Sequence, residues 1–215
     1  MMIRPAMAAL VWLVCSAGAH ADGPASGNWN FKVLLDDKLI GQQRFTLKTE
    51  GDKRVLTSVA DFNVKLLGIS VFRYHHKNNE QWSGDCLVSL QSSTDNDGTP
   101  LAVKARKEGE QLLVEASGNS SAKLDGCVMS FAYWNPLLLK QTRLLNAQNG
   151  VYEKVRVELL GQIKVEAQGK TVDATCYTIS GAEQPIVLSY SAQGDWLRLE
   201  SSVSGGKRKL TYVRE

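Results

Sequence analysis

Two adjacent histidines, His75 and His76, are the first residues in this chain that invite a chemical reading, because imidazoles ligate metals and move protons near neutral pH. Neighbouring residues on a strand point to opposite faces, so in extended backbone the pair cannot close on one ion. No metal is assigned here. Alternation instead places His76 on one face with Tyr74 and Glu80, as a hydrogen-bonded row of polar side chains. His76 and Glu80 could act as an acid/base pair, although four strand residues separate them by about 13 Å. No serine stands in a Gly-x-Ser-x-Gly elbow and no cysteine has an evident histidine partner, so no catalytic residue is named. Asp95, Asn96, Asp97 and Gly98 resemble a calcium loop only superficially, because the downstream glutamate is missing. They read as a turn. Gly41 and Gly68 are isolated glycines without the neighbours that cradle phosphate, and no cofactor is implied.

The aromatic stretch Phe131, Tyr133, Trp134, followed by Asn135, Pro136, Leu137, Leu138 and Leu139, is the other candidate. Large amphipathic rings beside a leucine run could line a pocket for an apolar molecule. Tyr133, Trp134, Leu137 and Leu138, with Tyr74 and His76, are therefore the ligand-binding candidates. Three outcomes are open around Trp134: a lined cavity, an exposed patch for a partner, or solid core. Outside the leader, Cys86, Cys127 and Cys176 allow three single bridges. Turn signals beside Cys86 and Cys127, namely Gly84 with Asp85 and Asp125 with Gly126, favour that pair.

These residues need elements to hold them. Short alternating segments punctuated by Gly, Asp, Asn and Ser run through most of the chain, as antiparallel β structure requires. Long segments over 55–67 and 69–82 meet at Gly68, and 94–98 marks a hairpin loop. The pattern breaks over 128–149, where Asn135 can cap and Pro136 can start a short helix near 135–145. Further strands are expected over 151–160 and 162–167. The fold class expected is all-β: an antiparallel β-barrel or curved half-barrel of about ten to twelve strands, with a sandwich as its rival. So many strands in one sheet favour curling.

The first 21 residues carry Arg4, an apolar run over 6–15 and a small-x-small ending at Ala19 and Ala21. This is the pattern of a signal peptide cut near Ala21/Asp22. The run is too short to span a bilayer, and Val14 before Cys15 argues against lipidation. A single domain over 22–215 in the periplasm is therefore expected, with no transmembrane segment in the mature chain. With 25 Lys and Arg against 22 Asp and Glu, the signs interspersed, no nucleic-acid-binding block stands out.

Taken in order, Lys38, Leu39, Ile40, Gly41 and Phe45, then Tyr74, His76, Glu80 and Trp82, then Thr94 and Gly98 make a recognisable series. Tyr133 to Pro136, Leu144 to Asn146 with Gly150, Leu188 with Tyr190, Trp196 and Tyr212 continue it. The series resembles a family of exported bacterial proteins known only as a domain of unknown function, and more distantly another periplasmic family with a curved β sheet. The resemblance implies a periplasmic setting and a β architecture, and transfers no activity. The expected function is a periplasmic binding protein for an apolar or amphipathic, lipid-like molecule in a barrel cavity. The alternative is an envelope interaction protein that binds another protein, and a hydrolase or isomerase built on His76 comes third.

Overall fold

In the computed structural model the described residues are 23–118 and 120–215. The expected signal peptide and its cleavage point lie outside them. The strands are β1 (Gly27–Leu35), β2 (Lys38–Glu50), β3 (Lys53–Leu66), β4 (Ile69–Ser83), β5 (Cys86–Asn96), β6 (Thr99–Glu108), β7 (Gln111–Ala116) and β8 (Ala122–Asp125). After a 3-10 turn at Pro136–Lys140 come β9 (Arg143–Leu145), β10 (Tyr152–Lys154), β11 (Arg156–Ala167) and β12 (Lys170–Ser180). β13 (Ile186–Tyr190), β14 (Trp196–Val203) and β15 (Arg208–Arg214) complete the chain.

Thirteen strands form one antiparallel sheet in the order β11-β12-β13-β14-β15-β1-β2-β3-β4-β5-β6-β7-β8, and β9 pairs with β10 apart from it. Every neighbour is joined by a hairpin except at β15 and β1, which bring the two ends of the domain together. The all-β expectation therefore holds, with more strands than expected. The sheet is open: β8 and β11 are its edges, and the chain between them, residues 126–155, supplies the filling.

Contacts to that filling show how far the sheet curls. Trp134 packs edge-on against Trp82 of β4 at 5.4 Å, and its neighbour Tyr133 lies 5.3 Å from Trp196 of β14. β4 and β14 are five strand spacings apart, about 24 Å in a flat sheet. Two consecutive residues reach both only because the sheet wraps around them. Phe45 of β2 also meets Trp196 at 5.1 Å across two intervening strands. The inner face follows period-2 alternation, for example Trp29, Phe31, Val33 and Leu35 of β1, all buried. Leu138, Leu144 and Leu145 of the filling are completely buried within the same core.

Three sequence expectations are corrected. The helix is a five-residue 3-10 turn, capped by the Asn135 side chain on Leu137 N at 3.1 Å, and Arg143–Leu145 is a strand. Leu138 and Leu144 anchor this stretch in the core, and tertiary packing overrides the helix preference of leucine. The expected break within 151–167 falls at Val155; Gly161 instead sits at a bulge inside continuous β11. The hairpin loop over 94–98 tightens to the two residues Asp97 and Gly98, with Gly98 N donating to Asp95 Oδ1 at 2.7 Å. Gly41 follows a bulge at Ile40 of β2 and is required by closeness, because a Cβ there would stand 1.9 Å from the carbonyl oxygen of Asp61.

Candidate functional site: a two-lobed cavity inside the curled sheet

The inward face of β4 presents Tyr74, His76, Asn78, Glu80 and Trp82 in turn, while Arg73, Lys77, Asn79 and Gln81 face outward. The adjacent histidines separate as extended backbone demands. His75 turns outward and contacts Asp61 across the hairpin, whereas His76 is buried and shares a 2.8 Å hydrogen bond with Thr94 Oγ1 of β5. Tyr74, His76 and Glu80 share a face as expected but are not bonded to one another. Tyr74 Oη donates to Gln148 Oε1 at 2.8 Å, and Glu80 accepts from Asn78 Nδ2 at 2.9 Å and from Trp82 Nε1 at 3.0 Å. Among the described residues, no cluster of three or more His, Cys, Asp or Glu is placed to hold a metal ion.

This row lines the deep lobe of a cavity of about 400 Å³, together with Ser58 of β3 and Tyr133 and Trp134 of the filling. Its floor is polar and buried. Asn78 Oδ1 and Trp134 Nε1 are buried without a hydrogen-bond partner among the described residues. Such atoms cost about 1–3 kcal/mol each when nothing answers them. The outer lobe, about 570 Å³, is lined chiefly by Ile40, Phe62, Val64, Val71, Phe72 and Leu210, together with the charged Glu183 and Arg208. Tyr74, Tyr212, Gln43 and Gln148 line both lobes, so the two adjoin, a polar lobe beside a more apolar one. A ladder of rings forms the waist: Phe62 stacks on Tyr74 at 5.3 Å, and Tyr74 on His76 at 6.2 Å.

Burial sets the charge state of the floor. It pushes the Glu80 carboxyl above its ordinary value, against the opposing hydrogen bonds from Asn78 and Trp82. It also draws the His76 imidazole down to about 4, with the neighbouring His75 adding to the effect. Burial likewise raises the hydroxyls of Tyr74 and Tyr133. At neutral pH the imidazole is neutral and can donate or accept one hydrogen bond at each nitrogen.

On the far side of Trp134 a polar knot ties three segments together. Arg54 donates to Asp85 Oδ1 at 2.8 Å and to Pro24 O at 2.9 Å, and lies 5.1 Å over the Trp134 ring. Asn135 Nδ2 reaches the same Asp85 oxygen at 2.8 Å. Burial would raise the Asp85 carboxyl, but Arg54 and Asn135 outweigh it and hold it below the usual range. Next to this knot, Cys86 and Cys127 form a disulfide. Cys176 is a buried free thiol that shares a hydrogen bond with Ser189.

The candidates named from sequence thus fall in three places. Tyr74, His76, Tyr133 and Trp134 line the cavity. Leu138 is fully buried core, and Leu137 is half-buried on the far side of Trp134. Trp134 is 1% exposed, so its ring forms a wall and offers no patch to a partner. Sequence reasoning missed Asn78, Ser58 and Tyr212 as lining residues, and Thr94 as the partner of His76. Alternation along β4 would have found Asn78, two positions from both His76 and Glu80; the others need the sheet order.

No curated protein sequence matches the chain. A crystal structure of a β-barrel-like protein of a domain of unknown function (DUF1849) from Brucella abortus is similar in fold. Its TM-score is 0.65 at 12% sequence identity, over 91% of this chain and 98% of that one. Residues 31–214 match the family described as domain of unknown function (DUF6134), and the chain belongs to that family.

Proposed function

We propose that this chain is an exported, periplasmic binding protein for an amphipathic, lipid-like small molecule held in the two-lobed cavity. The observation that carries the reading is the contrast between two adjoining lobes. The Asn78 and Glu80 floor is polar and holds unanswered hydrogen-bonding atoms, and the Phe62, Val71 and Leu210 mouth is apolar. A ligand polar at one end and apolar at the other satisfies both, with its polar end inward and its tail toward the mouth. The combined space suits a small molecule, since ligand pockets run to about 300–1,000 Å³. Dansyl-undecanoic acid is expected to bind saturably, and Leu210→Arg at the mouth to weaken it by roughly tenfold or more, from lost apolar contact. Absence of saturable uptake by the unmodified protein rejects the reading.

A second reading, an envelope protein that adds a strand to the sheet, is favoured by one observation. β11 is an edge of the sheet, and it carries the exposed Leu159, Leu160 and Ile163. Exposed edges of this kind are templates for strand addition.

A further inference from the structure

The β3–β4 hairpin breaks a rule that the other turns of this molecule keep. Six non-glycine residues among those described have left-handed backbone: Asp36, Asp37, Leu67, Asp97, Gln168 and Ser204. Five are polar. Tight hairpin turns favour Asn, Asp or Gly at such positions, and a bulky apolar side chain there is disfavoured. Leu67 nevertheless occupies the tip, with φ at 50° and its side chain 96% exposed. Leu66, Ile69 and Val71 beside it are also exposed. Four large apolar side chains therefore stand in solvent on one turn, at a backbone position that costs stability to fill this way. Local rules broken without local gain are expected at functional positions.

Two further observations say what this tip meets. From residue 64 to residue 73 the chain carries Lys65 and Arg73 and no acidic residue. Neither side chain forms an ion pair among the described residues. The charged pair flanks the apolar tip, with Arg73 opposite Asn63 and Lys65 opposite Ser70, as lipid-inserting loops need for anionic headgroups. Acidic groups stand close by: Asp97 Oδ1 accepts from Arg73 N at 3.2 Å, and Asp61 and Asp95 line an outer groove with Lys65 and Arg73, so the excess of positive charge belongs to the segment 64–73 itself. The same hairpin also forms the rim of the cavity, through Val64, Val71 and Phe72.

We propose that the β3–β4 tip docks on an anionic lipid surface and seats the cavity mouth against it. Leu66, Leu67 and Ile69 enter the acyl boundary while Lys65 and Arg73 contact headgroup phosphates. Docking of this kind would let an amphipathic ligand enter the cavity polar end first and leave it for the bilayer tail first. The docking itself is independent of whether the cavity holds a ligand.

Cosedimentation of the purified protein with vesicles tests it. The protein is expected to sediment with mixed phosphatidylglycerol and phosphatidylcholine vesicles, less so at high salt and less with phosphatidylcholine alone. Leu67→Asn combined with Ile69→Ser is expected to weaken binding by roughly tenfold or more, since two apolar side chains leave the interface. Asn suits the left-handed position, so Leu67→Asn alone is expected to keep or raise Tm, which separates docking from folding. Wild-type protein remaining in the supernatant, or the double variant sedimenting equally well, overturns the proposal. So does a dimer in solution that the double variant converts to monomer, because the tip would then be meeting a second copy. A protein that ignores vesicles yet still binds the dansyl probe would reject docking and leave the cavity reading intact.

Discussion

Glu80 and His76 flank Asn78 on one buried face, and burial moves their acidities in opposite directions toward the same result. The acid is pushed up and the base is drawn down, so both are driven toward neutral forms. The consequences for stability differ in sign. An exposed histidine titrates near 6.5, whereas the folded chain holds His76 at about 4, so the unfolded chain takes up its proton first as pH falls. Stability that rests on a neutral His76 is whole above 6.5 and is lost progressively as pH falls toward 4, in all on the order of 3 kcal/mol. Glu80 runs the other way: its raised pKa favours the fold at low pH, and that contribution fades as pH rises through the raised value. His76→Gln keeps a hydrogen-bonding side chain beside Thr94 and removes the titration. Denaturant unfolding of the variant between pH 7 and pH 4.5 is expected to show a smaller loss of stability than the wild type. Equal slopes would mean that His76 is not held neutral by the fold.

At the scale of elements, the filling between β8 and β11 decides the shape, and the Cys86–Cys127 disulfide ties its start to β5. The bridge closes a loop of 41 residues. Cys86→Ser is expected to cost about 4 kcal/mol from the entropy that such a loop restores to the unfolded chain. Thermal unfolding with and without reductant checks this, and the wild type under reductant should match the variant. The hairpins and the β4 row were legible in the sequence because alternation and turn residues are local signals. Tyr74, His76 and Glu80 share a face for the same reason that His75 leaves it. Asn135 and Pro136 correctly marked the start of an irregular element, but its length was set by Leu138 and Leu144 meeting the inner sheet, which no local pattern reports. The strands β8, β9 and β10 are three or four residues long, too short for any period to show. Arg54, Asp85 and Asn135 come from three separate segments, and their knot required the fold.

Over the whole molecule, the curl of the sheet around residues 126–155 gives its two ends different characters. One end carries the disulfide and the Arg54–Asp85–Asn135 knot, and the other carries the apolar mouth and the Leu67 tip. The proposed amphipathic ligand would account for a polar, partly unanswered floor beside such an apolar lobe. A solid core would have filled the space around Asn78 and Glu80 with apolar side chains at lower cost. Native mass spectrometry of the protein purified gently from a periplasmic extract, followed by denaturing extraction of whatever is released, is the most direct measurement. A stoichiometric adduct of an amphipathic molecule is predicted, reduced in the Leu210→Arg protein. A bare mass in every gentle preparation, with no molecule recovered on extraction, would contradict the cavity as a ligand site.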